Sequence, residues 1–154
     1  MSAPLRLSVF VDNRAGRKGV PIARSFEQWV RAALATRRRG RAEVNIALLG
    51  EREARDLNRR FRGKDYATNV LSFPYEPLPG ERSALLGDLA ICPAIVAREA
   101  REQDKEMRDH FAHLTVHGVL HLLGHDHETR RDAAKMEAIE RRVLSEFGIR
   151  DPYS

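Results

Sequence analysis

Between Glu106 and Gly124 the chain carries a run of helical periodicity with histidines at 110, 113, 117 and 121. The spacing predicts a helix over about Glu106 to Leu123, stopped by Gly124. His117 and His121 are four residues apart, so they share one face of that helix, about 6 Å apart along its axis. Gly124 then lets the backbone turn, and His127 follows close enough to swing back toward the pair. Three neutral imidazole nitrogens with a fourth position left open describe a catalytic zinc better than a structural one. His125 and Asp126 lie beside His127 and are alternative or additional ligands at this stage. His113 and His110, one and two turns before His117, are candidates to support the site or contact substrate. They could equally line a cleft or bond to backbone.

The rest of the chain reads as alternating strands and helices in one domain over residues 1–154. Leu5, Leu7, Val9 and Val11 alternate as in a strand, and Val44 to Leu49 is a short apolar strand closed by Gly50. Val70 to Phe73 and Leu86 to Ile91 read as two more strands, separated by a loop rich in proline and glycine from Pro74 to Ser83. Helices are expected over Ser25 to Thr36, over Glu51 to Phe61 with Gly63 as its stop, and from Pro93, where a missing N–H costs nothing. A last helix follows Thr129, which with Asp132 has the pattern of a capping box. It carries Met136, Ile139, Val143 and Leu144, and Gly148 ends it. The whole is one mixed domain with a small β-sheet and about five helices. Strand order does not follow from the pattern.

Composition narrows the setting. With 154 residues the chain can bury a core without covalent staples, and its single cysteine, Cys92, excludes both an internal disulfide and a thiolate zinc cluster. No apolar run approaches a membrane span, and Met1 to Val11 lacks the layout of a signal peptide, so a cytoplasmic protein with no membrane partner is expected. The net charge is +5, which favours polyanions such as RNA. The densest basic run, Arg37-Arg38-Arg39-Gly40-Arg41, reads either as a solvated loop or as a surface facing RNA.

Two features bear on the chemistry. A zinc protease motif places a glutamate directly after its first histidine, and here that position is Gly118, which argues against ordinary peptide hydrolysis and leaves the general base unidentified. Ahead of the histidines stands Phe61-Arg62-Gly63-Lys64-Asp65, then Thr68-Asn69-Val70-Leu71-Ser72-Phe73-Pro74. Arg62 and Lys64 are cations at a turn, suited to phosphate oxygens, and Arg62 offers a bidentate fork. The plainer reading is a helix C-terminus finished with basic residues. Asp65 and Asn69 organise the turn on that reading.

These two stretches, with Gly87-Asp88 opening a strand and the segment Asp151-Pro152-Tyr153, resemble the bacterial YbeY family. The resemblance runs from about Val44 to Tyr153, with the N-terminal third alike only in general layout. It implies an α+β fold, a small mixed β-sheet with about five helices and a zincin-like metal cleft on a helix. It also implies a metal-dependent endoribonuclease specific for single-stranded RNA, acting in maturation of the 16S rRNA 3′ end and in late ribosome quality control. It implies one Zn2+ per chain held by His117, His121 and His127, and a phosphate-handling, catalytic arginine at Arg62. Arg62, Lys64 and His113 are the candidate substrate-binding residues. The implied partners are the small ribosomal subunit, one protein of that subunit, and the GTPase Era. The family commonly has tyrosine where this chain has His125. A second reading is a ribosome assembly factor that zinc stabilises and that binds the small subunit without cleaving RNA. A hydrolase of peptides or small molecules is a third, which Gly118 disfavours.

Overall fold

The computed structural model describes residues 4–35 and 40–154. Most of the basic run, residues 37–39, lies outside the described residues; Gly40 and Arg41 lie within them. The elements in chain order are β1 (Arg6–Asn13), α1 (Ala23–Ala33), β2 (Arg41–Leu48), α2 (Glu51–Arg62), β3 (Val70–Pro74), β4 (Leu85–Ile91), α3 (Pro93–Glu102), α4 (Met107–Leu122) and α5 (Arg130–Ser145). The expected mixed α+β class is what the chain adopts.

The strand order is β1-β2-β4-β3. β1, β2 and β4 are parallel, and β3 runs antiparallel to β4. Parallel neighbours need a crossover, and α1 supplies it between β1 and β2. The period-two alternation puts Val44, Ile46 and Leu48 of β2, with Leu89 and Ile91 of β4, on one buried face. Phe26 and Trp29 of α1 and Phe111 of α4 meet there edge to face, with ring centroids 5.4 and 5.9 Å apart. Each such buried side chain contributes roughly 1.5–3 kcal/mol relative to exposure.

α1 begins two residues before Ser25. The Ser25 hydroxyl is buried and accepts a hydrogen bond from Arg108 Nη1 at 3.0 Å, so it does not cap the helix. The other helix signals act where expected. Gly63 ends α2 in the left-handed region, at φ 70°. Pro93 opens α3, and the Thr129 side chain accepts from the Asp132 amide at 3.1 Å. α4 is the central element, buried on nearly all sides and packed against α1, α3, α5 and the β3–β4 pair. Apolar side chains fall around most of this helix, which requires such a setting. Among the described residues no helix is long and apolar enough to cross a membrane.

Candidate metal centre

The site grows out of the last turns of α4. Gly124 adopts φ 97°, its amide bonds the His121 carbonyl at 3.0 Å, and the His125 amide bonds the Leu120 carbonyl at 3.0 Å. This paired reversal closes the helix end and sends the chain back over its own last turn. His127 thereby joins the two helical histidines. Ring centroids are 4.7 Å apart for His117 and His121, 5.1 Å for His121 and His127, and 5.7 Å for His117 and His127. One nitrogen from each lies within 4.8 Å of the other two. His125 is not among the histidines so grouped, and Asp126 accepts the Glu128 amide instead. The structure therefore brings together three histidines and neither of the two alternative ligands.

Donor chemistry tests whether a metal fits. His117 Nε2 and His121 Nε2 are 3.1 Å apart. Two nitrogens bound at about 2.0–2.1 Å to one tetrahedral ion would be about 3.3–3.4 Å apart, so the pair is close to ligand spacing. The other nitrogen of His117 faces Glu140: His117 Nδ1 lies 2.6 Å from Glu140 Oε1. A carboxylate accepts only, so Nδ1 carries the proton and the Nε2 lone pair is left facing the cluster. Burial lowers the pKa of His121, and the neighbouring His117 and His127 lower it further. The neutral imidazole is the form that binds metal. The residues present fit a metal ion.

Glu140 was not among the residues singled out from sequence. It is fully buried on α5, at 0% exposure. Burial alone would raise its pKa, but close approach by His113 and hydrogen bonds from His117 and Tyr153 outweigh that and hold it at about 2. Its second oxygen accepts from the Tyr153 hydroxyl at 2.5 Å. Burial and this bond raise the tyrosine pKa, so the phenol stays protonated. His113, His117 and Glu140 also form a cluster with metal-ligand chemistry. The 2.6 Å contact between His117 and Glu140 is that of a donor and an acceptor, so the cluster acts as support for the histidine. A signal for Glu140 exists in the sequence. It falls on the apolar stripe of Met136, Val143 and Leu144, where a charge requires a partner.

A cleft of about 500 Å³ opens in front of the three histidines. His113 and Tyr153, together with Arg62, Asn69 and Ser72, form part of its wall. Among the described residues no carboxylate lines it. Arg62, the last residue of α2, donates to the Ser72 and Phe61 carbonyls at 3.1 and 3.2 Å and lies over the Phe73 ring, 5.5 Å from its centroid. Among the described residues it makes no ion pair, so its charge is left for the cleft. Lys64 is exposed on the following turn and is not part of the cleft wall. Asp65 binds Arg55 through both oxygens at 2.8 and 3.0 Å, which orders that turn. Asn69 reaches Glu99 at 3.0 Å, and Glu99 accepts from His110 at 2.8 Å, so His110 is tied to structure and not to the cleft. His113 is mostly buried, and its Nε2 is 3.2 Å from the Tyr153 hydroxyl and 3.6 Å from Glu140. The hydrogen bond therefore runs to the hydroxyl.

Gly118 explains the missing protease glutamate. Its position faces β4 and β3, where an added Cβ would lie 2.8 Å from a Leu89 methyl and 3.3 Å from the Ser72 hydroxyl. The Ser72 hydroxyl also bonds the Gly118 carbonyl at 3.3 Å, pinning β3 to α4. A general base has no room there.

Residues 11–148 match the family model described as Endoribonuclease YbeY. A curated relative named Endoribonuclease YbeY, from Stenotrophomonas maltophilia (strain R551-3), is 54% identical over 155 residues, covering 98% of this chain and 96% of that protein. Another of the same name, from Xanthomonas oryzae pv. oryzae (strain MAFF 311018), is 53% identical with the same coverage. The solution structure of TM1509 from Thermotoga maritima superposes with a TM-score of 0.58 at 27% identity, covering 93% of this chain and 91% of that one. The likeness thus includes the N-terminal third, which the sequence motifs leave to general layout.

Proposed function

The chain belongs to the endoribonuclease YbeY family, and we propose that it is a zinc-dependent endoribonuclease specific for single strands, formed as one domain over residues 1–154. Its work on this reading is maturation of the 16S rRNA 3′ end and late ribosome quality control. It would act in the cytoplasm, with the small ribosomal subunit, one of that subunit's proteins and the GTPase Era as partners. The observation that carries the reading is the three-histidine cluster open to a cleft that also contains Arg62, which has no acidic partner among the described residues.

His117, His121 and His127 would hold the ion, through three nitrogens with an open position, the arrangement of catalytic zinc. When bound, it supplies Lewis acidity toward a phosphodiester and makes a hydrolytic nucleophile available near neutral pH. The remaining work falls to the protein. Glu140 keeps the His117 ring oriented with its Nε2 lone pair toward the cleft. Arg62, anchored on the β3 backbone carbonyl of Ser72, presents N–H donors to phosphoryl oxygens, where negative charge builds during cleavage. His113 stands in the wall, where a nucleotide flanking the scissile phosphate would pass. Lys64, on the exposed turn beyond Arg62, adds positive charge along the approach.

Incubation of metal-loaded protein with single-stranded rRNA fragments tests this. Wild type should cleave and His117→Ala should not; equal cleavage by both would end the proposal. Among the described residues no carboxylate lines the cleft, which favours one alternative, an assembly factor in which zinc serves structure only. In that case His117→Ala, with fold and subunit binding retained, would still support rRNA processing.

A further inference from the structure

The support behind His117 extends through Glu140 to a segment remote in sequence. Glu140 divides its two oxygens: Oε1 takes the His117 Nδ1 proton and Oε2 takes the Tyr153 hydroxyl proton. The same hydroxyl oxygen accepts from His113 Nε2 at 3.2 Å. Each proton position in the chain then follows from its neighbour. His113 donates to Tyr153, Tyr153 to the carboxylate, and His117 to the carboxylate from the other side. His113 Nδ1 is left buried and unprotonated, consistent with its having no hydrogen-bond partner among the described residues.

Tyr153 is itself clamped. Asp151 accepts the Tyr153 amide at 2.8 Å with one oxygen and Arg141 Nε at 2.9 Å with the other. Arg141 also lies over the Tyr153 ring, 5.5 Å from its centroid, and is the residue next to Glu140 on α5. The segment that carries Tyr153 is thus fastened to the helix that carries Glu140. A buried carboxylate with one oxygen unpaired would be free to turn about its last torsion and lose its alignment with His117.

We propose that Tyr153 is a positioning residue that acts through Glu140 to hold His117 in the Nδ1–H tautomer and in the orientation a metal requires. The role rests on the three-histidine metal site proposed above. Removing the hydroxyl leaves the rest of the cleft in place, so its effect is on metal affinity before it is on fold.

The test is a Zn2+ titration of the full chain against a chromophoric chelator, with imidazole 15N spectra of the metal-free protein. Glu140→Gln should weaken Zn2+ binding about 10- to 100-fold, the usual range for such supporting groups. Tyr153→Phe, which loses one hydrogen bond, should weaken it about five-fold and mix the His117 tautomers, with the melting temperature little changed. Tyr75→Phe removes a comparable surface bond to Glu81 and should leave Zn2+ affinity unchanged. If Tyr153→Phe does not fold, Asp151→Ala releases the clamp without touching the hydroxyl and should give the same change in affinity. Wild type that takes up no Zn2+ would end the metal reading and the brace with it. Wild-type uptake with unchanged affinity and tautomer in the variants would overturn the brace alone.

Discussion

Substituting Gly87 with alanine should destabilise the protein sharply, because the β3 backbone lies directly against this residue of β4. Gly87 pairs with Pro74 and has φ 150°, outside the range that side chains ordinarily accept. An added Cβ would press into the Phe73 carbonyl oxygen, 3.0 Å from Pro74 Cα and 2.8 Å from a Leu122 methyl. The methyl can rotate away, but the other two atoms are backbone and can yield only if β3 moves off β4. Backbone strain of about 1–3 kcal/mol and overpacking of about 1–3 kcal/mol together suggest a loss near 4 kcal/mol. At this chain length that is a fall in melting temperature of roughly 8–16 °C, measured by circular dichroism. Arg62 is anchored on Ser72 of β3, so RNA cleavage at a temperature where the variant is folded should fall more than Zn2+ affinity does. At Gly118 the added Cβ would meet only side-chain atoms, so Gly118→Ala should cost less. A melting temperature for Gly87→Ala within about 2 °C of wild type would refute this reasoning.

Other outcomes follow from individual residues. Arg62→Ala should slow RNA cleavage by about 10²–10³-fold while leaving metal affinity intact, since Arg62 contacts β3 and not the histidines; a matching loss of metal would contradict this. Cys92 is 1% exposed and burial raises its thiol pKa, so a thiol reagent such as DTNB should react only as fast as the protein opens; immediate stoichiometric reaction in native buffer would contradict the packing. A hydrogen bond from His110 chiefly lowers the Glu99 pKa, with help from Asn69. A depressed carboxylate stabilises the fold above its unfolded pKa, and that contribution is lost as pH falls through the folded pKa. Denaturant titrations from pH 6 down to pH 3 should therefore show stability falling less steeply in Glu99→Gln than in wild type, and parallel profiles would count against the pairing.

The sequence was most informative where a local rule decides the structure. Periodicity located the strands to within a few residues, and Gly63, Pro93, Gly124 and Thr129 act at helix ends by their own backbone or side-chain chemistry. Three of the candidate ligands were legible for the same reason: a four-residue spacing on a helix and a glycine reversal are local. Strand order was not, because placing β4 between β2 and β3 depends on contacts distant in the chain. Glu140 was missed on similar grounds. It lies 23 residues from His117, and only the packing of α5 on α4 makes them neighbours. The helix expected from Ser25 starts two residues earlier, because Ala23 and Arg24 are exposed and carry no part of the apolar stripe that periodicity reads.

The most direct test of the central claim is anomalous scattering at the zinc edge from crystals grown with Zn2+. A site formed by the three histidines predicts one peak per chain, about 2.0–2.1 Å from nitrogens of His117, His121 and His127, with no fourth protein ligand. Glu140 should stay bonded to His117 Nδ1 and off the ion. A peak coordinated by Glu140 and His113, a fourth ligand from His125 or Asp126, or no peak at these histidines would contradict it.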